Sequence, residues 1–132
     1  MTGTIYSIDT PALYWYEFDL PPLSPAARDA FAEAEQGLAE LVLYPLVLAE
    51  FYYLLRKQGR EVDFLAYLGS IEHNPLYRVE PIVLDDFRRL PDYPEIPEMH
   101  HRLIAIQAHR LGAVLVSKDE SVRASAQVRW IW

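Results

Sequence analysis

Three acidic residues, Asp9, Glu50 and Asp119, have the type and spacing to do chemistry together. Asp9 directly follows the extended apolar run TIYSI, and Asp119 comes shortly after the apolar run AVLV. Glu50 is the only charged residue between positions 41 and 55. A buried carboxylate needs a cation, a hydrogen-bond partner or a shifted pKa, and clustered carboxylates bind hard divalent cations. If the fold brings them together, these acids predict a divalent metal site.

Each acid also has an ordinary structural explanation. An Asp after a strand is commonly a turn former or a helix N-cap, and Glu50 has an Arg or Lys inside the fold as an alternative partner. Other catalytic motifs are missing, because the sequence contains no cysteine, no glycine-rich phosphate loop and no serine elbow. We interpret Trp130 and Trp132 as packing residues rather than base-stacking platforms.

Two histidines open the segment PEMHHRLIAIQA, residues 97–108, whose apolar spacing predicts a helix with a buried face. Neutral imidazole is a softer ligand than carboxylate and suits manganese, zinc or iron better than magnesium. Glu98 lies three residues before His101. It is therefore a supporting charge on nearly the same face if the helix has begun there. The alternative is that His101 only hydrogen-bonds a neighbouring acid.

The positioning elements follow from the alternation of strand and helix patterns along the chain. The predicted strands are 4–9, 41–44, 77–84, 113–117 and 128–132. The predicted helices are 11–18, 25–36, 60–71, 85–90, 97–110 and 120–126, and a further helix begins at Pro45 and ends before Gly59. Thr10 is the predicted N-cap of the first helix. This alternation predicts an α/β fold with a central parallel sheet, helices on both faces and right-handed crossovers. Ligands bind beyond the carboxyl ends of strands in such sheets, where Asp9 and Asp119 are expected. Asp85 and Asp86 are interpreted as N-terminal charges of a short helix.

Composition narrows the class of protein. A chain of 132 residues fits a single domain, 1–132. The net charge of -7 disfavours a nucleic-acid footprint over the whole surface, although a bound cation can mediate contact with phosphates. The longest apolar stretch, LVLYPLVLA, is far shorter than the roughly 20 residues of a membrane span. With no cysteine and no leader-like start, we expect a soluble cytoplasmic protein without a membrane partner.

Four segments, YSIDTPALYWY, LVLYPLVLAEFYYLLRKQG, MHHRLIAIQAHRLGAVLVSKDESVR and VRWIW, together resemble a PIN domain, in particular the small VapC-like toxins of toxin–antitoxin pairs. The resemblance covers nearly the whole chain in the right order. It implies a PIN-like, Rossmann-like three-layer α/β/α sandwich and an endoribonuclease that depends on Mg²⁺ or Mn²⁺. It also implies that Asp9 is the first acid, Glu50 the helical glutamate, and Ser117 with Asp119 the final Ser-x-Asp turn.

This sequence departs from the family pattern at the histidines. The family usually has an Asp-Arg pair at the start of the long helix, and HHR places His101 where that aspartate is expected. Pro11 is a second departure, because the family commonly has Asn or His after Asp-Thr.

Two functions remain open at this point. In the first, the chain hydrolyses RNA, and Asp9, Glu50 and Asp119 are the catalytic residues. The same acids and His101 hold the metal, while Ser117 and Glu98 support the site. The resemblance then implies an antitoxin protein and a second copy of the chain, as a homodimer, as partners. In the second, the chain is a binding module of the same fold that has lost its metal site and its catalysis through His101.

Overall fold

A parallel sheet organises the computed structural model, which describes residues 3–132. Its strands are β1 (Thr4–Ile8), β2 (Ala39–Leu43), β3 (Tyr77–Val79), β4 (Val114–Val116) and β5 (Trp130–Ile131). They form a 5-stranded sheet in the order β3-β2-β1-β4-β5, with every neighbouring pair parallel. The chain therefore builds outward from β1 in both directions. The order reverses between β1 and β4, which is where open parallel sheets form their ligand crevice.

Helices flank this sheet and complete the α/β/α sandwich that the sequence predicts, so the predicted fold class is confirmed. They are α1 (Thr10–Glu17), α2 (Pro25–Glu35), α3 (Pro45–Lys57), α4 (Phe64–His73), α5 (Leu84–Arg88), α6 (Met99–Arg110) and α7 (Glu120–Ala124). Short 3₁₀ turns span Glu61–Asp63 and Leu90–Asp92. Within residues 3–132, none of these helices has the length and apolar character to cross a membrane.

The boundaries of α2 follow the predicted signals closely. The Ser24 hydroxyl accepts the Ala27 N–H, and Pro25 occupies the first turn, where its missing N–H costs nothing. Gly37 ends the segment with a φ of 77°, a left-handed conformation that glycine adopts without strain.

Other boundaries differ from the prediction. The strand predicted over 77–84 stops at Val79, since Pro81 has no N–H to continue the ladder. The terminal strand is limited to Trp130–Ile131. The helix predicted over 60–71 is a 3₁₀ turn followed by α4, which continues to His73. Helix α6 begins at Met99 instead of Pro97, because the Glu98 carboxylate accepts the His101 N–H as an N-cap.

Asp86 does more than supply charge to a helix. It is 1% exposed and accepts hydrogen bonds from the Tyr44 hydroxyl at 3.0 Å and from Arg110 Nε at 2.8 Å. These contacts join α5 and α6 to the end of β2. Asp85, by contrast, stays at the surface with Arg88 and Arg89 and matches the predicted role of helix charge.

Candidate functional site

The two aspartates lie at the carboxyl ends of adjacent strands. Asp9 follows β1 and Asp119 comes shortly after β4, and the register pairs Ile8 with Val116. Each aspartate is also the N-cap of the helix that follows it, α1 or α7. This corrects the predicted N-cap of α1, which is Asp9 and not Thr10. Both carboxylates therefore stand at one edge of the sheet, at the point where the strand order reverses.

Asp9 is almost completely buried, with 3% of its surface exposed. Its Oδ1 accepts the Thr10 N–H at 2.8 Å, and its Oδ2 accepts the Ser117 hydroxyl at 2.7 Å. The Ser117 oxygen accepts the Asp119 N–H at 3.1 Å in turn. Ser117 thus connects the two aspartates directly.

Asp119 is held by its own helix. Its Oδ1 accepts the Ser121 hydroxyl at 2.6 Å and the Val122 N–H at 3.0 Å. Its Oδ2 faces His101, whose Nδ1 lies 3.4 Å away. One oxygen of Asp119 therefore caps α7 while the other is turned toward the histidine.

His101 faces both aspartates from α6. Its Nδ1 also lies 3.2 Å from Glu98 Oε2, and its Nε2 lies 3.9 Å from Asp9 Oδ2. A protonated imidazole here would be a positive charge among acids. The histidine thus lies beside both aspartates.

Glu50 reaches the same edge from α3. Its Oε1 accepts the Thr10 hydroxyl at 2.8 Å, and its Oε2 lies 3.9 Å from His100 Nδ1. Within residues 3–132, Glu50 has no Arg or Lys partner, which the sequence offered as an alternative. Its ion-pair contact there is with His100. Thr10 is adjacent to Asp9, so its hydroxyl connects the helical glutamate to the first acid.

His100 is the site residue that the sequence reasoning missed. Its Nδ1 lies 2.7 Å from Glu98 Oε1 and near Glu50, although helical spacing turns it away from the face of His101. Glu98 contacts both histidines, one with each oxygen. The pattern Glu-x-His-His at a helix start was the available signal, because an N-cap glutamate lies close to the side chains of its own first turn.

The direction of the pKa shift divides the acids of the site, including Glu98, into two classes. Burial raises the pKa of Asp9, against the opposing effects of the Ser117 hydroxyl and the His101 charge. Burial likewise raises the pKa of Glu50, against the Thr10 hydrogen bond. Burial also raises the pKa of Asp119 and of Glu98, but hydrogen bonds and the nearby histidines outweigh it, and the net pKa of each is lowered. Asp9 and Glu50 are thus undercompensated as anions, a condition that a bound cation relieves.

Two openings meet at these residues. The main cleft has a volume of about 960 Å³ and is lined by Asp9, His101, Asp119, Lys118, Arg123 and Trp132, among others. The second groove, of about 470 Å³, is lined by residues that include Glu50, Tyr53, Lys57 and His100. Asp9, Pro11 and His101 line both openings. Asp9 therefore lies where the two meet, with Asp119 in the main cleft and Glu50 in the second groove.

Comparison with known proteins bears on the fold. Neither a protein-family model nor a curated protein matches the sequence. A solved structure is similar, the crystal structure of VapBC2 from Rickettsia felis bound to a DNA fragment from their promoter. The TM-score is 0.74 over 97% of this chain and 98% of that chain, at 14% identity. This chain has a PIN-like fold. At such low identity the similarity establishes the fold alone.

The acids and His101 together form a candidate donor set for a divalent metal. Within residues 3–132, the present side-chain positions bring no three His, Asp or Glu residues into an arrangement that could hold a metal ion. The chemistry of the set nevertheless fits one, because Asp9, Asp119 and Glu50 offer oxygen atoms and His101 a nitrogen. A mixed oxygen and nitrogen set suits Mn²⁺ better than Mg²⁺.

Proposed function

We propose that this chain is a metal-dependent ribonuclease that hydrolyses RNA phosphodiester bonds and acts as the toxin of a toxin–antitoxin pair. The observation that carries the proposal is the convergence of Asp9, Glu50 and Asp119 at the sheet edge where the strand order reverses. These acids come from three distant parts of the sequence. The raised pKa of Asp9 and of Glu50 adds a reason for a cation to bind there.

Each residue has a distinct part in this proposal. Asp9, Asp119 and His101 hold the Mn²⁺ or Mg²⁺, which when bound activates water and offsets charge on the phosphate. Ser117 fixes Oδ2 of Asp9 and the backbone of Asp119. Glu50 is anchored through Oε1 by Thr10, which leaves Oε2 to accept a proton from the attacking water.

The proposed partners are an antitoxin protein and a second copy of the chain. The region of α4 exposes large apolar side chains, with Val62 86% and Leu65 77% exposed. Side chains of this kind are suited to burial against another protein. The similar solved structure is itself a VapBC2 complex, which supports the antitoxin. A cytoplasmic location remains part of the proposal.

The test is RNA cleavage with Mn²⁺, with Mg²⁺ and with EDTA. We expect cleavage by the parent with Mn²⁺, and a loss of about a hundredfold or more in Asp9→Asn and in Asp119→Asn. Glu61→Gln is the matched control, since Glu61 is an exposed acid on the 3₁₀ turn before α4. If Asp9→Asn and Asp119→Asn cleave as fast as Glu61→Gln, the proposed site is wrong.

A binding module without catalysis is the second candidate. It is favoured by the contacts of His101 with both aspartates and by the lack of a ready three-ligand group in residues 3–132. Calorimetric titration separates the two candidates. If the parent binds no divalent metal while His101→Asp does, the fold has lost its catalysis through this substitution.

A further inference from the structure

The main cleft contains basic and aromatic side chains beside its acids. Lys118 Nζ lies 4.8 Å from the centroid of the Trp15 ring. The Trp15 ring packs in turn on Trp132, with centroids 5.6 Å apart and the planes inclined at 52°. Lys118, Arg123 and Trp132 all line the cleft. Arg123 lies over a different ring, with its Cζ 5.4 Å from the centroid of Trp130. We call Lys118, Arg123 and Trp132, which share the lining of the cleft, the basic-aromatic wall.

The cations of this wall lack acidic partners within residues 3–132. The ion pairs of arginine there involve Arg28, Arg60, Arg78, Arg88, Arg89 and Arg110. The buried Nε of Arg123 also has no acceptor among the described residues. Exposed carboxylates are plentiful in a chain of net charge -7. Lys118 and Arg123 share the lining of one cleft without acidic partners in this part of the chain, so their charges make that side of the cleft suited to an anionic ligand.

The shape of the openings favours a polymer over a single phosphate. The second groove shares Asp9, Pro11 and His101 with the main cleft and adds Lys57, which also has no ion-pair partner in the described part of the chain. Unpaired cations thus lie on both sides of the acids. A chain of phosphates can contact Lys118 and Arg123 on one side and Lys57 on the other, with a phosphate between them near Asp9.

We propose that the basic-aromatic wall holds a single-stranded nucleic acid, with Lys118 and Arg123 contacting its phosphates and Trp132 stacking on a base. This inference rests on the proposed nuclease function and deepens it. It also revises the interpretation of Trp132 as a packing residue alone, because its ring both packs on Trp15 and lines the cleft. Stacking on an aromatic ring holds unpaired bases of any sequence, whereas bases inside a duplex are not available to it.

The experiment is binding of a fluorescein-labelled single-stranded RNA of about ten nucleotides, followed by anisotropy in EDTA over a range of salt. The variants are Lys118→Gln, Arg123→Gln and Trp132→Leu. We expect each charge variant to bind more weakly and to lower the salt dependence by about 0.7 per lost phosphate contact. We expect Trp132→Leu to bind about 5-fold to 150-fold more weakly with the salt dependence unchanged, and Trp132→Phe to recover part of that loss.

Matched controls keep the test specific. Arg129→Gln removes the same charge from an exposed residue that lines neither the main cleft nor the second groove. Arg129→Gln should bind the RNA like the parent. The parent should bind a single DNA strand of the same sequence as tightly as the RNA, and a duplex of that sequence more weakly. The proposal is overturned if Arg129→Gln weakens binding as much as Lys118→Gln, or if the duplex binds equally well. It is also overturned if Trp132→Leu and Trp132→Phe, shown to be folded by their melting curves, both bind like the parent.

The two proposals can fail separately, because binding in EDTA requires no cleavage. A parent that binds RNA through the basic-aromatic wall but never cleaves it supports this inference and contradicts the nuclease function. The opposite result is a parent that cleaves RNA and three variants, Lys118→Gln, Arg123→Gln and Trp132→Leu, that match its affinity and its cleavage rate. That result contradicts this inference and supports the nuclease function.

Discussion

His101 Nδ1 lies 3.4 Å from Oδ2 of Asp119. The other oxygen of Asp119 is already occupied by the Ser121 hydroxyl and the Val122 N–H. The contact with His101 therefore uses the one carboxylate oxygen that is free to bind anything else. A metal ion held by both Asp119 and His101 has to replace this direct contact.

The first prediction concerns this histidine. His101→Asp replaces a nitrogen donor with a hard anionic oxygen, so Mg²⁺ binding should strengthen relative to Mn²⁺. Calorimetric titration of both metals into the parent and the variant measures the ratio. His100→Ala is the control, because His100 contacts Glu98 and approaches Glu50 but neither aspartate, and it should change the ratio little. An unchanged ratio in His101→Asp would show that position 101 does not bind the metal.

The second prediction concerns the stability of Asp9→Asn without metal. Burial raises the pKa of Asp9, so the folded state favours the neutral carboxyl, and this stabilisation is lost as pH rises through the raised pKa. Asn is neutral at every pH. The variant should therefore melt a few degrees above the parent at pH 7 in EDTA, and the difference should shrink as the pH is lowered. A difference that grows toward acid pH would contradict this explanation.

The third prediction concerns Ser117. It is 1% exposed, donates to Asp9 and accepts from the Asp119 N–H. Ser117→Ala leaves both groups short of a partner and should cost about 1–3 kcal/mol in urea unfolding. Ser7→Ala is the matched control, since the buried Ser7 hydroxyl has no partner in residues 3–132 and its removal should be neutral or stabilising. Equal losses in the two variants would show that the hydrogen bonds of Ser117 contribute nothing.

The fourth prediction concerns Asp86, a buried carboxylate whose ionic partner Arg110 reaches the surface. Asp86→Ala leaves the buried Tyr44 hydroxyl without its acceptor and removes the hydrogen bonds from Arg110, and should cost about 1.5–3 kcal/mol. Tyr44→Phe removes one hydrogen bond and should cost about 1 kcal/mol. Asp85→Ala, which breaks only surface pairs, should stay within about 1 kcal/mol of the parent. Chemical denaturation of the three variants gives the order, and a loss in Asp86→Ala no larger than in Asp85→Ala would contradict it.

The positions of the two aspartates in the fold could be predicted from the sequence, because the signals for them are local. An acid at the end of an apolar strand predicts a carboxylate at the sheet edge, and Asp9 and Asp119 lie there. The contacts of Glu50 with Thr10 and His100 were not predicted, because they depend on how α3 packs against α1 and α6. Periodicity shows that a helix has an apolar face, but not which distant side chains approach its polar positions.

The same distinction explains the errors in the fold. The sheet and its alternation with helices were predicted because the apolar runs are strong and regular. The strand over 77–84 was predicted too long because apolar composition alone does not register the missing N–H of Pro81. The burial of Asp86 was missed because its partners, Tyr44 and Arg110, are distant in the sequence.

The double use of the aspartates as helix N-caps makes the backbone itself a reporter of the site. The amide of Val122 is bonded to Oδ1 of Asp119, and the amide of Thr10 to Oδ1 of Asp9. Any ligand that draws either carboxylate away from its cap exposes that amide to solvent and speeds its hydrogen exchange. Occupancy of each aspartate can thus be followed separately, one amide signal for each, without a substrate.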